Sequence, residues 1–86
     1  MKASHILVPT LAQAQSILAE ATPLNFGQLA QQHSSCPSKA RGGDLGDFQP
    51  GQMVKPFEDA TVATPVGSIS QPVQTQFGFH LIHRTG

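Results

Sequence analysis

The chain has no tryptophan and no tyrosine, a single cysteine (Cys36), and charged residues at only 12% of its 86 positions. One cysteine cannot form an internal disulfide, so no disulfide framework holds the fold. With phenylalanine as the only aromatic, five in all, a core in a chain of this length has to be small and built from Leu, Ile, Val and Phe. Lys plus Arg equals Asp plus Glu at five each, which leaves no basic surplus to displace counterions from a nucleic-acid backbone or to hold an anionic membrane. No apolar run approaches the roughly 18 residues that span a bilayer. The start, Met-Lys-Ala-Ser, lacks the apolar centre of a secretory signal, and with the lone cysteine this gives a reducing, cytoplasmic setting as the expectation. Residues 1–86 are read as one domain with one modest core.

What is present is ordered punctuation. Ala3 to Val8 reads as a strand that stops at Pro9, with Ala3, His5 and Leu7 on one face and Ser4, Ile6 and Val8 on the other. Thr10 is placed to cap a helix whose apolar positions are Leu11, Ala14, Leu18 and Ala21, widened by Ile17 and ended by Thr22-Pro23. Asn25 is read as the cap of a second helix through Phe26, Leu29, Ala30 and His33. Pro37 to Arg41, followed by Gly42-Gly43, predicts one short helical turn. Leu45 to Phe48 reads as a brief strand and Lys55 to Val62 as a last helix. Ile69 to Thr75 and Phe79 to Arg84 read as a hairpin through Gln76-Phe77-Gly78, with His80, Ile82 and Arg84 on one face and Phe79, Leu81 and His83 on the other. The fold class is therefore α+β, an antiparallel sheet with helices packed against it.

The stretch Cys36 to Ala60 is unusual for a connection. Gly42, Gly43, Gly46 and Gly51 let it turn repeatedly, and Leu45, Phe48, Met53 and Phe57 sit between the turns, either as a core plug or as the floor of an apolar site. His5, His80, Cys36 and Thr75 form a polar set on segments that can be sheet neighbours. A strand histidine is by default a hydrogen-bonded core residue. Zinc is the sharper alternative for His5, His80 and Cys36, but no Cys-x-x-Cys or His-x-x-x-His spacing supports it, and no metal or other cofactor is expected. A Cys36 nucleophile with a histidine base is a third reading. It is weakened by Pro37, which has no N–H to offer an oxyanion.

The run CPSKARGGDLGDFQPGQMVKPFEDA resembles the central segment of the parvulin family of peptidyl-prolyl cis/trans isomerases. ASHILV at Ala3 to Val8 is similar to that family's first strand and TQFGFHLIHR at Thr75 to Arg84 to its last, so the resemblance covers essentially the whole chain. It is best to the small single-domain bacterial-type members. The resemblance implies a four-stranded antiparallel sheet wrapped by about four helices in the order β-α3-β-α-β2. It implies catalytic roles for His5, Cys36, Thr75 and His80, and a proline-binding pocket from Leu45, Met53 and Phe57 with Phe48 as its support. It leaves His33 as a helix-surface residue, His83 as partly buried on the opposite strand face, and Gly78 as a turn residue alone.

Members of that family that demand phosphoserine or phosphothreonine before proline carry a Lys/Arg cluster after the first strand. Here no Lys or Arg lies between Lys2 and Lys39, so nothing there pairs a phosphate, and Lys39 and Arg41 serve equally well as cations at a helix C-terminus. The expected function is isomerisation of X-Pro bonds in polypeptides, without phosphate specificity and by a monomer. The alternative is a chaperone-like module that binds extended peptides without turnover.

Overall fold

The computed structural model describes residues 1–86 as a four-stranded antiparallel sheet with three helices and one 3₁₀ turn. In chain order these are β1 (Lys2–Val8), α1 (Leu11–Glu20), α2 (Phe26–His33), the 3₁₀ turn (Pro37–Arg41), β2 (Asp44–Asp47), α3 (Lys55–Ala63), β3 (Val73–Thr75) and β4 (Gly78–Arg84). The strand order is β2-β1-β4-β3, so the two histidine-bearing strands are central and pair from Ala3↔Arg84 to Val8↔Phe79. This register puts His5 opposite Ile82 and His80 opposite Leu7, diagonal neighbours on one face.

The period-2 alternation of these strands divides the core between the two faces of the sheet. Ile6, Val8 and Leu81 pack beneath α1 and α2 against Ala14, Ile17, Phe26, Leu29 and Ala30. Ala3 and Ile82 face the other way and pack with Phe48 and Phe57, beside Leu45, Met53, Val54 and Val73. His83 lies half-buried on the first face against Phe26, and His33 is exposed, both where the sequence puts them.

Local chemistry accounts for the boundaries and for several departures from expectation. Thr10 caps α1 by accepting from the backbone N–H of Gln13 at 3.2 Å. Leu11, expected on the buried stripe, is 43% exposed, because a side chain in the first turn leans back past the helix end, and Ile17 takes the central place instead. Asn25 does not cap α2 with its side chain. Thr22 Oγ1 accepts from the Asn25 N–H at 3.2 Å while Asn25 Oδ1 accepts from the Thr22 N–H at 2.6 Å, a reciprocal box that starts the helical turn at Pro23. The proline read as ending one helix also begins the next. The strand expected over Ile69 to Thr75 is regular only from Val73, since Pro72 has no N–H to give. Ile69 makes an isolated bridge to His83, and Ser70 closes the gap by accepting from the Ile82 N–H at its hydroxyl and donating its own N–H to Ile82.

β2 is fixed to β1 beside His5, whose N–H donates to the Gly43 carbonyl at 2.9 Å. Gly43 has φ +80°, and a Cβ there would collide with the His5 carbonyl oxygen. Gly43→Ala should therefore cost about 2 kcal/mol or more through combined strain and clash, read as a lower urea midpoint at unchanged m-value. An unchanged midpoint would show that this backbone approach is not required.

Candidate active site

A cavity of about 500 Å³ opens on the α3 side of the sheet. The glycine-turned segment supplies Leu45, Met53, Val54 and Phe57, β1 supplies His5 and Leu7, β4 supplies His80, the segment before the 3₁₀ turn supplies Cys36, and the β3–β4 hairpin supplies Phe77. No Asp, Glu, Lys or Arg lines it. A second hollow of about 350 Å³ beside the C-terminal end of α3 carries no titratable side chain.

The floor is one hydrogen-bonded chain of four side chains. Thr75 Oγ1 lies 2.8 Å from His80 Nε2, His80 Nδ1 lies 3.0 Å from His5 Nδ1, and His5 Nε2 lies 3.2 Å from Ser38 Oγ. The two imidazoles meet edge to edge, with centroids 5.1 Å apart and 17° between planes. Only one hydrogen fits between the two Nδ1 atoms, so the ring that donates there fixes the tautomer of both. A His5 donor makes His80 donate from Nε2 to Thr75 and leaves His5 Nε2 accepting from Ser38. A His80 donor reverses every bond. The network is complete in either direction.

Both rings are neutral near pH 7. The pKa of each is lowered from 6.5 to about 4, by burial at both rings and, for His5, also by the neighbouring His80. Phe57 seals the pair, standing edge-on to His5 (5.6 Å, 82°) and to His80 (5.2 Å, 80°). One phenylalanine thus lines the cavity and keeps water from the histidines beneath it.

Cys36 is half-buried in the cavity wall. Its place follows from Ser34, whose hydroxyl accepts from the N–H groups of Leu7 and Cys36, while the Ser35 N–H donates to the Leu7 carbonyl at 2.7 Å. The chain entering the 3₁₀ turn is thereby laid along the end of β1. All four histidine ring nitrogens are engaged by one another, by Thr75 and by Ser38, so none is directed at Cys36 as a base and none is free for a cation. No three His, Cys, Asp or Glu side chains are grouped to hold a metal ion.

The eight residues singled out from sequence divide as follows. His5, Cys36, His80, Leu45, Met53 and Phe57 line the cavity, and Thr75 joins through His80. Phe48 does not line it. It is 3% exposed behind Phe57, with ring centroids 6.1 Å apart, and acts as the support of the pocket rather than its wall. Sequence reasoning missed Ser38 and Phe77, although the alternation of β1 already put Leu7 on the face of His5. It also understated Gly78, which opens β4 at φ +137° with a would-be Cβ 2.6 Å from the Val8 carbonyl oxygen, so close backbone approach requires glycine there.

A family model of the PPIC-type PPIase (rotamase) domain matches residues 5–86. The chain is 53% identical over 78 residues to the peptidyl-prolyl cis-trans isomerase Pin1 of Digitalis lanata, covering 88% of this chain and 66% of that protein. It is 46% identical over 87 residues to the foldase protein PrsA of Geobacillus sp. (strain WCH70), covering 99% of this chain and 32% of that one. Among solved structures it superposes on PrsA of Bacillus anthracis with a TM-score of 0.93 at 43% identity, over 100% of this chain and 41% of that chain. It superposes on NmPin, the parvulin of Nitrosopumilus maritimus, with a TM-score of 0.85 at 42% identity, over 100% of this chain and 95% of that chain. The chain thus spans about two thirds of the plant relative and about a third of the foldase. With a rotamase model running from the first site histidine to the last residue, the chain belongs to the PPIC-type peptidyl-prolyl cis/trans isomerases, the parvulins.

Proposed function

We propose that the chain accelerates cis/trans exchange of X-Pro bonds in polypeptides, with no requirement for phosphate on X and with no covalent intermediate. The observation that carries this reading is a cavity with apolar walls and an uncharged, fully hydrogen-bonded floor. The obstacle to rotation is the partial double bond of the amide, a barrier of about 18 to 20 kcal/mol. Leu45, Met53 and Phe57 grip the proline ring. The rest of the peptide turns against it, out of water, where the charge-separated resonance form that keeps the amide planar is poorly supported. Thr75, His80, His5 and Ser38 fix the floor in one geometry, and Cys36 faces the amide from the wall.

The absence of Lys and Arg from the lining supports tolerance of uncharged X over phosphorylated X. Pro37 after Cys36, and histidines already engaged elsewhere, support a non-covalent role for the sulfur. The site is built from one chain, which supports a working monomer. A single free cysteine in its wall supports a reducing, cytoplasmic setting. Relatives named as foldases support folding polypeptides as the substrates.

NMR exchange spectroscopy on Ala-X-Pro-Phe peptides, with X set to Leu, Ala, Glu or phosphoserine, tests the reading. Exchange should be fastest for uncharged X, and Cys36→Asp should keep kcat/KM within about tenfold, less than the loss that removing a covalent nucleophile brings. Peptide line broadening with no faster exchange for any X would leave a binding module in place of an enzyme. A Cys36→Asp protein that binds peptide but turns none over would restore the covalent route.

A further inference from the structure

Resting on that isomerase reading, we infer that Glu58 is a positioning residue for the reaction: its carboxylate fastens the turn at residues 49–52 to α3 and so holds Met53 in the proline pocket. The turn is closed by its own groups. The Gln52 N–H donates to the Gln49 carbonyl at 3.2 Å, the Gln49 N–H donates to Gln52 Oε1 at 2.7 Å, and Pro50 has no N–H to place. Gly51, at φ +91°, carries the one backbone donor that the turn does not use itself. It donates to Glu58 Oε1, seven residues further along the chain. This is the single hydrogen bond between the turn and the rest of the protein.

Packing does not fix the turn in its place. Gln49, Pro50, Gly51 and Gln52 are all exposed, and a Cβ on Gly51 would meet no atom within 4 Å. Glu58 is well placed to hold it, because it stands in the first turn of α3, where the helix N-terminus favours a carboxylate, and the nearby cation Lys55 is taken by Asp59 at 2.8 Å. The chain leaves the turn at Met53, half-buried in the cavity wall, and Phe57 of the same wall immediately precedes Glu58. One hydrogen bond therefore links the Met53 side of the pocket to the Phe57 side. Without it the turn is free to swing outward, and the pocket is assembled in only a fraction of the molecules. Affinity falls by that fraction, while bound proline restores the assembled form, so the loss belongs in KM rather than in kcat.

The test is exchange spectroscopy on Ala-Leu-Pro-Phe over a range of peptide concentrations, comparing the unaltered protein with Glu58→Ala, Glu58→Gln, Met53→Ala, and Glu58→Ala plus Met53→Ala. Glu58→Ala should raise KM about fivefold and leave kcat within about twofold. Glu58→Gln, which gives up the charge but keeps an acceptor oxygen, should recover most of that loss. On top of Met53→Ala, Glu58→Ala should cost less than about twofold more, since it acts through a side chain already removed. In amide and methyl NMR spectra the Gly51 N–H and the Met53 methyl should move in Glu58→Ala and return toward their places in Glu58→Gln. An unchanged KM in Glu58→Ala, a loss of equal size with and without Met53, or unmoved Gly51 and Met53 signals would overturn the positioning role and leave the isomerase reading standing. No catalysis by the unaltered protein would overturn both.

Discussion

Phe57→Ala is expected to lower kcat/KM for Ala-Leu-Pro-Phe by more than about a hundredfold and to destabilise the fold by about 3 to 5 kcal/mol. Two separate losses meet in this residue. Its ring lines the cavity and, in the proposed mechanism, is part of the wall that grips proline, so truncation should remove binding that the twisted amide needs. The same ring is 3% exposed, rests on Phe48, and stands edge-on to both histidines, so truncation also opens a cavity over the hydrogen-bonded floor. Met53 separates the two effects. It lines the same cavity but is only half-buried and has no contact of this kind with the histidines, so Met53→Ala should cost about tenfold in kcat/KM and little in stability. Urea unfolding and exchange spectroscopy on the two single variants and the double variant give both quantities. Full activity in Met53→Ala plus Phe57→Ala, in protein shown to be folded, would remove the proline pocket from these residues.

Much of this site was legible in the sequence, and the exceptions have physical causes. Period-2 alternation groups His5 with Ala3 and Leu7 and His80 with Ile82 and Arg84, and the pairing of the two strands brings these groups onto one face. Their bond through the Nδ1 atoms is not in the pattern, because it depends on a diagonal register that only the completed sheet defines. Phe48 and Phe57 look alike as apolar residues among glycines. What separates them is that the Phe48 N–H donates to the Met1 carbonyl at 2.7 Å, which continues β2 and turns that side chain under α3, while α3 begins early enough to leave Phe57 at the cavity. Ser38 is not legible, because a serine in a short turn carries no sign of a partner 33 residues earlier. The sequence places Phe77 only in a hairpin turn, for the same reason. The cavity that it lines is assembled from distant segments, and nothing local records them. The Thr22–Asn25 box is readable in the sequence, where Pro23 signals a stop for α1 and, as a proline in a first turn, equally a start for α2.

Lowering the pH from 7 to 4.5 is expected to remove on the order of 3 kcal/mol of stability, a large share of what a domain of this size has. The sign follows from the histidine floor. In the unfolded chain His5 and His80 take up protons near pH 6.5, whereas in the fold burial holds both near 4. Between these values the unfolded state binds more protons, so stability rises with pH: it is fully present above 6.5 and drains away as pH falls toward 4. Geometry adds a limit of its own. One added proton still leaves a single N–H between the two Nδ1 atoms, but a second sets two N–H groups against each other at 3.0 Å with two charges under Phe57. The second protonation therefore requires the floor to open, and catalysis should fall with stability rather than through a separate titration. Urea midpoints at pH 7, 5.5 and 4.5, taken beside kcat/KM at the same values, measure both. His5→Asn plus His80→Asn should start less stable at pH 7 and lose far less on acidification. Midpoints that stay flat from pH 7 to 5 in the unaltered protein would mean that the two imidazoles take up protons in the fold at the same pH as in the unfolded chain, and the burial that holds the floor neutral in the proposed mechanism would not operate.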